Sequence, residues 1–356
     1  MKFIYHFKSL AIATLLIAGH YAASARIWRI NNNAGVNANY TTLQAAVGSN
    51  LVVSGDTLHI ESSASIYAGG SNIFLNKRLI ILGSGYFLTQ NPKTQANPNP
   101  TKLHGASSPR GYIFLDAAAS GTVLMGLDIG EIRIAAASNL VIARNNIKAI
   151  CLNANAAPGL SDNILITGNY LYRGENTIDQ SGINYYFGQQ DVTYTNFRVE
   201  NNIIEERVEI PFITSGQIIN NFIGPNFSAT NCLIKNNYMT YGGVVGSNVF
   251  QYNIFSNTNA GITGTNGNFV AAASSVFVST STGQDAGFRL SANSPGIEAG
   301  RDAVNNPVNI GPFGGASAYV LSGMPPIPSI YMLTVPQNVP SGTSSMNVTL
   351  STISRN

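Results

Sequence analysis

One eight-residue pattern, apolar–x–apolar–x–x–Asn–x–apolar, recurs along the chain and constrains its fold more than any other feature. A clear copy runs from Ile164 to Leu171, where Ile164 and Ile166 precede Asn169. The asparagines of successive copies lie 24, 33, 19, 16 and 16 residues apart. The aligned asparagines are Asn145, Asn169, Asn202, Asn221, Asn237 and Asn253.

The spacing within the pattern predicts short strands that meet at a sharp corner. Alternating apolar residues mark a strand with one buried face. The asparagine ends the strand, because its short side chain tolerates a left-handed backbone and bonds neighbouring peptide groups. One copy per coil predicts a right-handed parallel β-helix whose coils stack about 4.8 Å apart, with the asparagines as an internal structural ladder. The longest interval predicts a projecting loop within residues 173–196.

Two other fold classes fit this sequence poorly. Strand-forming residues are frequent, glycine and asparagine interrupt the chain often, and no long segment has a helical period, which argues against a helical fold. A β-sandwich would also have short strands, but it would not place an asparagine at the same point of each repeat. The predicted class is therefore an all-β solenoid.

The two ends of the predicted β-helix differ in character. Residues 41–47 predict a short capping helix with a threonine N-cap, which would cover the unpaired edge of the first coil. This helix belongs to an N-terminal segment over 26–55, and the β-helix itself is predicted over 56–320. A Pro-rich linker and a two-strand β-tail follow over 321–356. Such a tail is too small to have its own core, so we expect it to dock on the β-helix or on a partner.

Residues 1–25 have the features of a secretory signal peptide. Lys2 and Lys8 supply positive charge, residues 10–18 form a short apolar run, and residues 23–25 read Ala-Ser-Ala, a small-residue cleavage site. We therefore expect a secreted or cell-surface protein whose mature chain begins near Arg26. Removing the two lysines from 19 basic residues leaves 17, against 16 acidic residues, so no basic surface for nucleic acid is expected. No later stretch predicts a transmembrane segment.

The two cysteines, Cys151 and Cys232, occupy different positions relative to their nearest repeat asparagines. Export would permit a disulfide bond. The difference in phase nevertheless favours two buried, unpaired thiols, and a disulfide scaffold is not indicated.

Three parts of the chain resemble the pectate-lyase-like superfamily of right-handed parallel β-helix proteins. They are the helix-and-strand opening over 40–60, the asparagine-cornered repeat, and the closing segment over 294–315. The closing segment is most similar to secreted, uncharacterised members from the Bacteroidetes. The resemblance covers roughly residues 35–320 and implies the fold. It does not imply one activity, because the superfamily includes lyases, hydrolases and adhesins.

The resemblance also implies what a catalytic member would need, namely an arginine or lysine base and carboxylates that often hold Ca²⁺. Candidates for these roles are Arg198, Glu205, Arg207 and Glu209, of which the last three alternate and could share one face. The alternative is a solvated face with ion pairs between neighbouring side chains. No cofactor is expected for a binding protein, and Ca²⁺ is expected only for a lyase.

Aromatic residues cluster around the longest interval between repeats. Tyr172, Tyr185, Tyr186 and Tyr194 are candidates for a substrate-binding platform, because the apolar face of a sugar ring packs on an aromatic ring. The alternative is that such rings stack inside the core of the β-helix.

The resulting hypothesis is a secreted or cell-surface β-helix protein that binds polysaccharide or a surface partner without catalysis. One alternative is a polysaccharide lyase that acts on uronate-containing glycan by β-elimination, with Arg198 or Arg207 as the base. Another is a structural surface-assembly protein that binds a protein partner through residues 329–356.

Overall fold

The computed structural model describes residues 25–67, 72–103, 111–152, 159–173, 181–185, 192–210, 212–240, 247–259, 261–281 and 283–355. Within these residues the chain forms two large sheets of parallel strands, and the predicted right-handed parallel β-helix is confirmed. The predicted signal peptide, apart from Ala25, lies outside the described residues.

Ten parallel strands form the first sheet, which we call sheet A. Along each strand, alternate side chains point into the β-helix and out to its surface. In the order in which they pair, these strands are β1 Ile27–Ile30, β2 Thr57–Ile60, β4 Ile80–Leu82, β6 Val123–Met125, β8 Leu140–Ala143, β10 Gly159–Thr167, β13 Val192–Glu200, β16 Gly216–Ile219, β19 Cys232–Lys235 and β21 Val249–Gln251.

Thirteen strands form the second sheet, sheet B. They are β3 Ile73–Leu75, β5 Tyr112–Leu115, β7 Asp128–Ile134, β9 Asn146–Leu152, β11 Tyr170–Leu171, β12 Gly182–Tyr185, β14 Ile203–Ile204, β15 Arg207–Ile210, β17 Phe222–Ile223, β18 Phe227–Ala229, β20 Tyr238–Met239, β22 Ile254–Phe255 and β23 Phe269–Val270.

Sheet B has two arms, which meet on the long strand β9. Asn146 and Ile147 pair with β11, whereas residues 149–152 pair with β12. We call the first set, with β14, β17, β20, β22 and β23, the short arm. The second set, with β3, β5, residues 131–134 of β7, β15 and β18, is the broad arm. A complete coil therefore consists of a sheet A strand, a short-arm strand and a broad-arm strand.

The inner core consists of aliphatic columns in which each side chain stacks on its counterpart in the next coil. The register of sheet A makes one such column, and each of its members is fully or almost fully buried. Burying a side chain of this size stabilises the fold by about 1.5–3 kcal/mol. The column contains Leu58, Ile81, Leu124, Ile142, Ile166, Val199, Ile218 and Ile234.

The six repeat asparagines stack at the corner between sheet A and the short arm, and each is fully buried. The side-chain amide of Asn169 donates to Oδ1 of Asn202 at 3.0 Å, and this contact repeats from each asparagine to the next. The same amide also donates to the backbone oxygen of Ile142 in the preceding coil. The ladder extends one step beyond the sequence pattern, because Asn253 donates to Asn268 at 2.9 Å.

The sequence pattern predicts a left-handed backbone at the ladder asparagine itself. In the structure the residue before that asparagine is the left-handed one. Arg144 has a φ of 54° and Asn201 also has one of 54°, while Gly168 has 63°. The turn is therefore made one residue earlier. This leaves the ladder asparagine free to point inward and bond its neighbours above and below.

A short helix, α1 Leu43–Gly48, covers the first coil. The hydroxyl of Thr42 accepts a hydrogen bond from Ala45 N, so the predicted threonine N-cap is Thr42. Leu43, Ala46 and Val47 are buried in the inner core. The helix thus closes an end of the stack where strand edges would otherwise be open.

A second layer packs on the outer side of the short arm and forms a separate cluster. Its helical pieces are α2 Ala273–Val276 and a 3-10 helix over Asp285–Phe288. The outward column of the short arm lies beneath it, and there Phe222 and Tyr238 stack with a 4° angle between their rings. The remaining 3-10 helices are Ala117–Ala119 and Leu321–Gly323, and a small antiparallel pair consists of β24 Gly300–Arg301 and β25 Pro307–Val308.

Residues 296–325, which we call the C-terminal strap, run back along the left-handed corner toward the first coils. The side-chain amide of Asn236 donates to Arg301 O, that of Asn201 to Gly314 O, and Arg144 donates to Met324 O. A buried carboxylate, Asp285, holds the same region together. It accepts hydrogen bonds from Asn91, Ser322 N and Tyr319.

The tail forms an antiparallel hairpin of β26 Ser329–Thr334 and β27 Thr349–Ile353. The base of the hairpin is attached to the β-helix, because Ala96 N donates to Ile330 O and Arg144 donates to Arg355 O. Large apolar side chains farther along it are exposed, including Met332, Leu333 and Leu350.

Candidate functional site

Three aromatic rings lie on the outer face of the broad arm at its first strands. Phe74 of β3 pairs with Phe114 of β5, and Tyr112 is two residues before Phe114, so all three point away from the core. Their ring centroids are 5.6, 5.9 and 6.5 Å apart. Phe74 is 54% exposed, which is unusual for so large an apolar ring. We call these three residues the aromatic patch.

An ion pair borders the aromatic patch on the next strand. The register of β5 and β7 places Glu131 beside Tyr112 and Arg133 beside Phe114. Arg133 Nε donates to Glu131 Oε1 at 2.6 Å, and its guanidinium carbon lies 3.8 Å from the centroid of the Tyr112 ring. The guanidinium therefore braces Tyr112 while its charge is balanced by Glu131.

Small or buried residues separate this ion pair from the next charged residues along the broad arm. Ala149 and Cys151 stand beside Glu131 and Arg133, and both are buried. Gly182 follows Ala149, and there a Cβ atom would lie only 2.3 Å from Arg207 O. Arg207 and Glu209 come next and form an ion pair of 3.4 Å. The exposed aromatic and charged side chains thus form two separate groups on one face.

The structure brings two of the four predicted catalytic residues together. Arg207 and Glu209 form an ion pair on the broad arm, beyond the asparagine corner. Arg198 lies on the outer face of sheet A, where it makes two hydrogen bonds to Glu200, of 2.7 and 2.8 Å. Glu205 lies between the two arms and accepts hydrogen bonds from the Tyr170 hydroxyl and, at 3.0 Å, from Arg173 N. The four residues therefore do not share one face, because a corner of the coil separates Arg198 from Arg207 and Glu209.

The predicted tyrosine platform is corrected at Tyr194. Tyr194 is 1% exposed and packs edge-on against Phe197 inside the core, because it lies on the inward alternation of β13. Tyr172 is half-buried against the outer cluster. Tyr185 belongs to β12, but its side chain lies outside the described residues, as does the whole of Tyr186. Part of the predicted 173–196 loop is sheet, since β12 pairs with β9 and β15.

The signal for the aromatic patch was present in the sequence but was not recognised. Ile73-Phe74-Leu75 and Tyr112-Ile113-Phe114-Leu115 each alternate, with their aliphatic residues buried and their rings outward. Both segments lie before the first asparagine of the repeat pattern. Without that marker, nothing in the sequence shows that they pair.

Two grooves on the outer surface contain residues that bear on the alternatives. One groove, of about 490 Å³, lies on sheet A. The pair of Arg198 and Glu200 lines one side, strap residues 316–320 line the other, and the floor includes Val141 and Leu165. The other groove, of about 580 Å³, has His59 and Glu61 on one side and linker residues 324–330 on the other. Their described linings include no Phe, Tyr or Trp. Neither lining therefore offers a sugar a phenyl, phenol or indole ring.

Both cysteines are free and buried. Cys151 lies on the outer side of the broad arm, whereas Cys232 points into the core from sheet A, so they lie on different faces. Burial raises the pKa of the Cys232 thiol to about 12 and raises the pKa of Cys151 further. Neither thiol is activated as a nucleophile.

Among the described residues, no three His, Cys, Asp or Glu side chains form a group that could hold a metal ion. The same part of the chain contains no helix of the length and apolar character needed to span a membrane.

No family model matches the chain, and no curated protein matches it. Among solved structures, the chain is similar to the crystal structure of pectate lyase Pel9A, with 15% sequence identity and a TM-score of 0.37. The similarity covers 82% of this chain and 96% of that one.

Proposed function

We propose that this protein is a secreted or cell-surface β-helix that binds polysaccharide without catalysis, and that the aromatic patch is its binding site. The observation that carries the proposal is the exposure of Phe74 beside Tyr112 and Phe114 on a rigid strand pair. Rings held in this way present apolar faces to a sugar at little cost in side-chain entropy. The flanking Glu131 provides carboxylate oxygens that can accept hydrogen bonds from sugar hydroxyls.

The arrangement of the arginines supports binding over catalysis. Arg133, Arg198 and Arg207 are each paired with a glutamate two residues away on the same strand. Both arginines of the lyase alternative, Arg198 and Arg207, are thus already engaged by a carboxylate of their own strand. Neither offers an unpaired guanidinium to an incoming uronate.

Affinity gel electrophoresis tests this function. The mature chain is run through native gels that contain hydroxyethyl cellulose, galactomannan, polygalacturonate or alginate. We expect retention in at least one gel and its loss in the double variant Phe74→Ala/Tyr112→Ala. Tyr331→Ala, which removes a partly exposed ring from the hairpin, serves as the matched control and should be retained normally. Absence of retention in every gel would count against the proposal.

A second candidate function, assembly with a protein partner, is favoured by one observation on the hairpin. Met332, Leu333 and Leu350 are all about half exposed on a sheet of two strands, and so is Val348 directly before the second strand. An exposed apolar sheet edge is a template for pairing with another chain. Leu333→Lys/Leu350→Lys should abolish capture of such a partner from the cell surface while leaving glycan retention unchanged.

A further inference from the structure

We propose that the glycan recognised by the aromatic patch is a neutral polysaccharide rather than a polyuronate. This inference rests on the proposed function. It concerns the charges around Phe74, Tyr112 and Phe114, which decide whether the carboxylates of a polyuronate would be attracted or repelled.

Among the described residues, the cation in contact with the patch is Arg133, and it is already paired. Arg133 is held by Glu131 at 2.6 Å and by the face of Tyr112 at 3.8 Å. A uronate carboxylate could reach Arg133 only by displacing Glu131 or by approaching that carboxylate closely. The first route only exchanges one carboxylate for another and the second brings two carboxylates together, so Arg133 offers the incoming anion no net attraction.

The rest of the broad arm is equally balanced. Arg207 is paired with Glu209, so the four charges of the two ion pairs on this face sum to zero. Lys148 is 8% exposed and so has little access to a ligand. No unbalanced cation therefore lines the described path that a polyanion would follow along this arm.

The angles between the three rings indicate how many sugar rings the aromatic patch holds. The Phe74 ring is inclined by 80° to Tyr112 and by 48° to Phe114. Rings inclined in this way form a cradle rather than a flat surface. Such a cradle holds one sugar ring by its C–H face, and this contact works equally well for any neutral pyranose that exposes such a face.

The four-gel experiment separates the outcomes when it is repeated at low and high salt. We expect retention by hydroxyethyl cellulose or galactomannan that salt does not change, and at least roughly tenfold weaker retention in Phe74→Ala/Tyr112→Ala. Retention by polygalacturonate or alginate that depends on the patch and falls with salt would overturn the neutral-glycan inference and leave the proposed function intact. Retention that is the same in the wild type and in Phe74→Ala/Tyr112→Ala would overturn both the neutral-glycan inference and the proposed function. Absence of retention in all four gels would do the same.

An independent observation concerns the first described residues. The backbone nitrogen of Arg26 donates to Asp56 Oδ1 at 2.8 Å. Asp56 is fully buried, and its Oδ2 accepts from Trp28 Nε1 at 2.7 Å and from Val53 N at 2.9 Å. These three donors are uncharged N–H groups. A buried carboxylate gains more from a cationic partner than from a neutral one.

The geometry points to Asp56 as the binding site for the α-ammonium that forms when the peptide bond between Ala25 and Arg26 is hydrolysed. Water adds across this bond, Ala25 leaves with the new carboxylate, and the Arg26 nitrogen becomes a primary amine that takes up a proton at neutral pH. The hydrogen bond to Asp56 then becomes an ion pair. Removal of the predicted signal peptide would in this way strengthen the attachment of β1 to β2.

Two forms of the chain test this. One begins at Arg26 and the other retains Ser24 and Ala25 ahead of it. We expect the form that begins at Arg26 to have the higher Tm at about pH 6, because an ammonium with a raised pKa stabilises the fold below its unfolded pKa of about 8. This difference should disappear as the pH rises through the folded pKa. Both forms contain the other charged or titratable groups nearby, so the effects of these groups cancel in the difference between the two Tm values. These groups are the Arg26 guanidinium, His59 on β2, Lys77 and Arg78.

Two controls keep the result interpretable. Acetylation of the Arg26 amine removes the charge without altering Asp56, and it should lower the Tm to that of the longer form. Asp56→Asn should make the two forms equal. Equal Tm values of the unmodified forms at about pH 6, or a difference that persists after acetylation, would overturn the assignment.

Discussion

Asn169 and Asn202 are 33 residues apart in sequence, yet Nδ2 of Asn169 donates to Oδ1 of Asn202 at 3.0 Å. The backbone nitrogen of Asn169 donates to the same oxygen at 2.9 Å. Strand β12 and the other residues between them are therefore accommodated without breaking the stack. The ladder fixes the register of the coils, whatever the length of chain between two corners.

Replacing a central member of the ladder should cost much more than replacing a surface asparagine. Asn202→Ala removes the acceptor of two buried donors of Asn169 and one of the two donors to Oδ1 of Asn221, which keeps its bond from Asn202 N. We expect a loss of roughly 3 kcal/mol in the free energy of unfolding, since each orphaned buried group costs about 1–3 kcal/mol. Asn257→Ala, at an exposed position, is the control and should change little. Similar urea midpoints for the two variants would show that the ladder does not determine stability.

The buried carboxylate of Asp285 should make part of the stability depend on pH. Burial raises its pKa, even though Asn91, Ser322 N and Tyr319 donate hydrogen bonds to it. Because the folded state then binds the proton more tightly, protonation favours folding. This contribution is full below the unfolded pKa of about 3.9 and is lost as the pH rises through the folded pKa.

The matched variant is Asp285→Asn, which does not titrate. As the pH is lowered toward the unfolded pKa of about 3.9, the urea midpoint of the wild type should improve relative to that of the variant. A gap that stays constant over this fall in pH would contradict a raised pKa of Asp285.

Tyr194 should matter for stability and not for ligand binding. Its ring is buried among the inner-core residues, where it contacts Phe197. Tyr194→Ala should therefore lower the free energy of unfolding by roughly 3–5 kcal/mol, as large-to-small changes of aromatic core residues do. Tyr194→Phe should keep most of the stability and all of the glycan retention. Loss of retention in a folded Tyr194→Phe protein would contradict the placement of this residue in the core.

The arginines of the predicted lyase site should be dispensable for retention. Arg198 and Arg207 make partly exposed ion pairs, and such pairs contribute at most about 1 kcal/mol. Arg198→Ala and Arg207→Ala should leave glycan retention unchanged and shift the unfolding midpoint only slightly. Formation of unsaturated uronate by the wild type that disappears in either variant would instead support β-elimination.

The sequence was most informative where one residue type has one structural role. At each corner of the coil, a buried side-chain amide bonds to the coils on either side, and asparagine suits this role. The sequence alone therefore aligns Asn145 with the asparagines that follow it. Asn268 escaped notice, because the residues before it, Thr263 to Gly267, form a turn rather than an apolar strand. The short helix at the first coil was also predictable, since Thr42 has the residue type and the spacing of an N-cap.

The site was less predictable, because it depends on which strands become neighbours. Phe74 and Phe114 pair across 40 residues of chain, and no local pattern states that they do. Arg198 and Arg207 are near in sequence but lie on different faces, because the corner at Asn202 separates them. The C-terminal strap was missed for the same reason. Its contacts, such as Asn201 with Gly314, join segments more than 100 residues apart.

The most direct test of the central claim follows the rings of the aromatic patch during ligand titration. Aromatic ¹H–¹³C spectra of protein labelled at Phe and Tyr would be recorded while cellohexaose or mannohexaose is added. Binding at the patch predicts that the signals of Phe74, Tyr112 and Phe114 shift together and saturate, while those of Phe212 and Tyr331 stay in place. Shifts confined to other rings, or no shifts with any neutral or acidic hexasaccharide, would contradict the account.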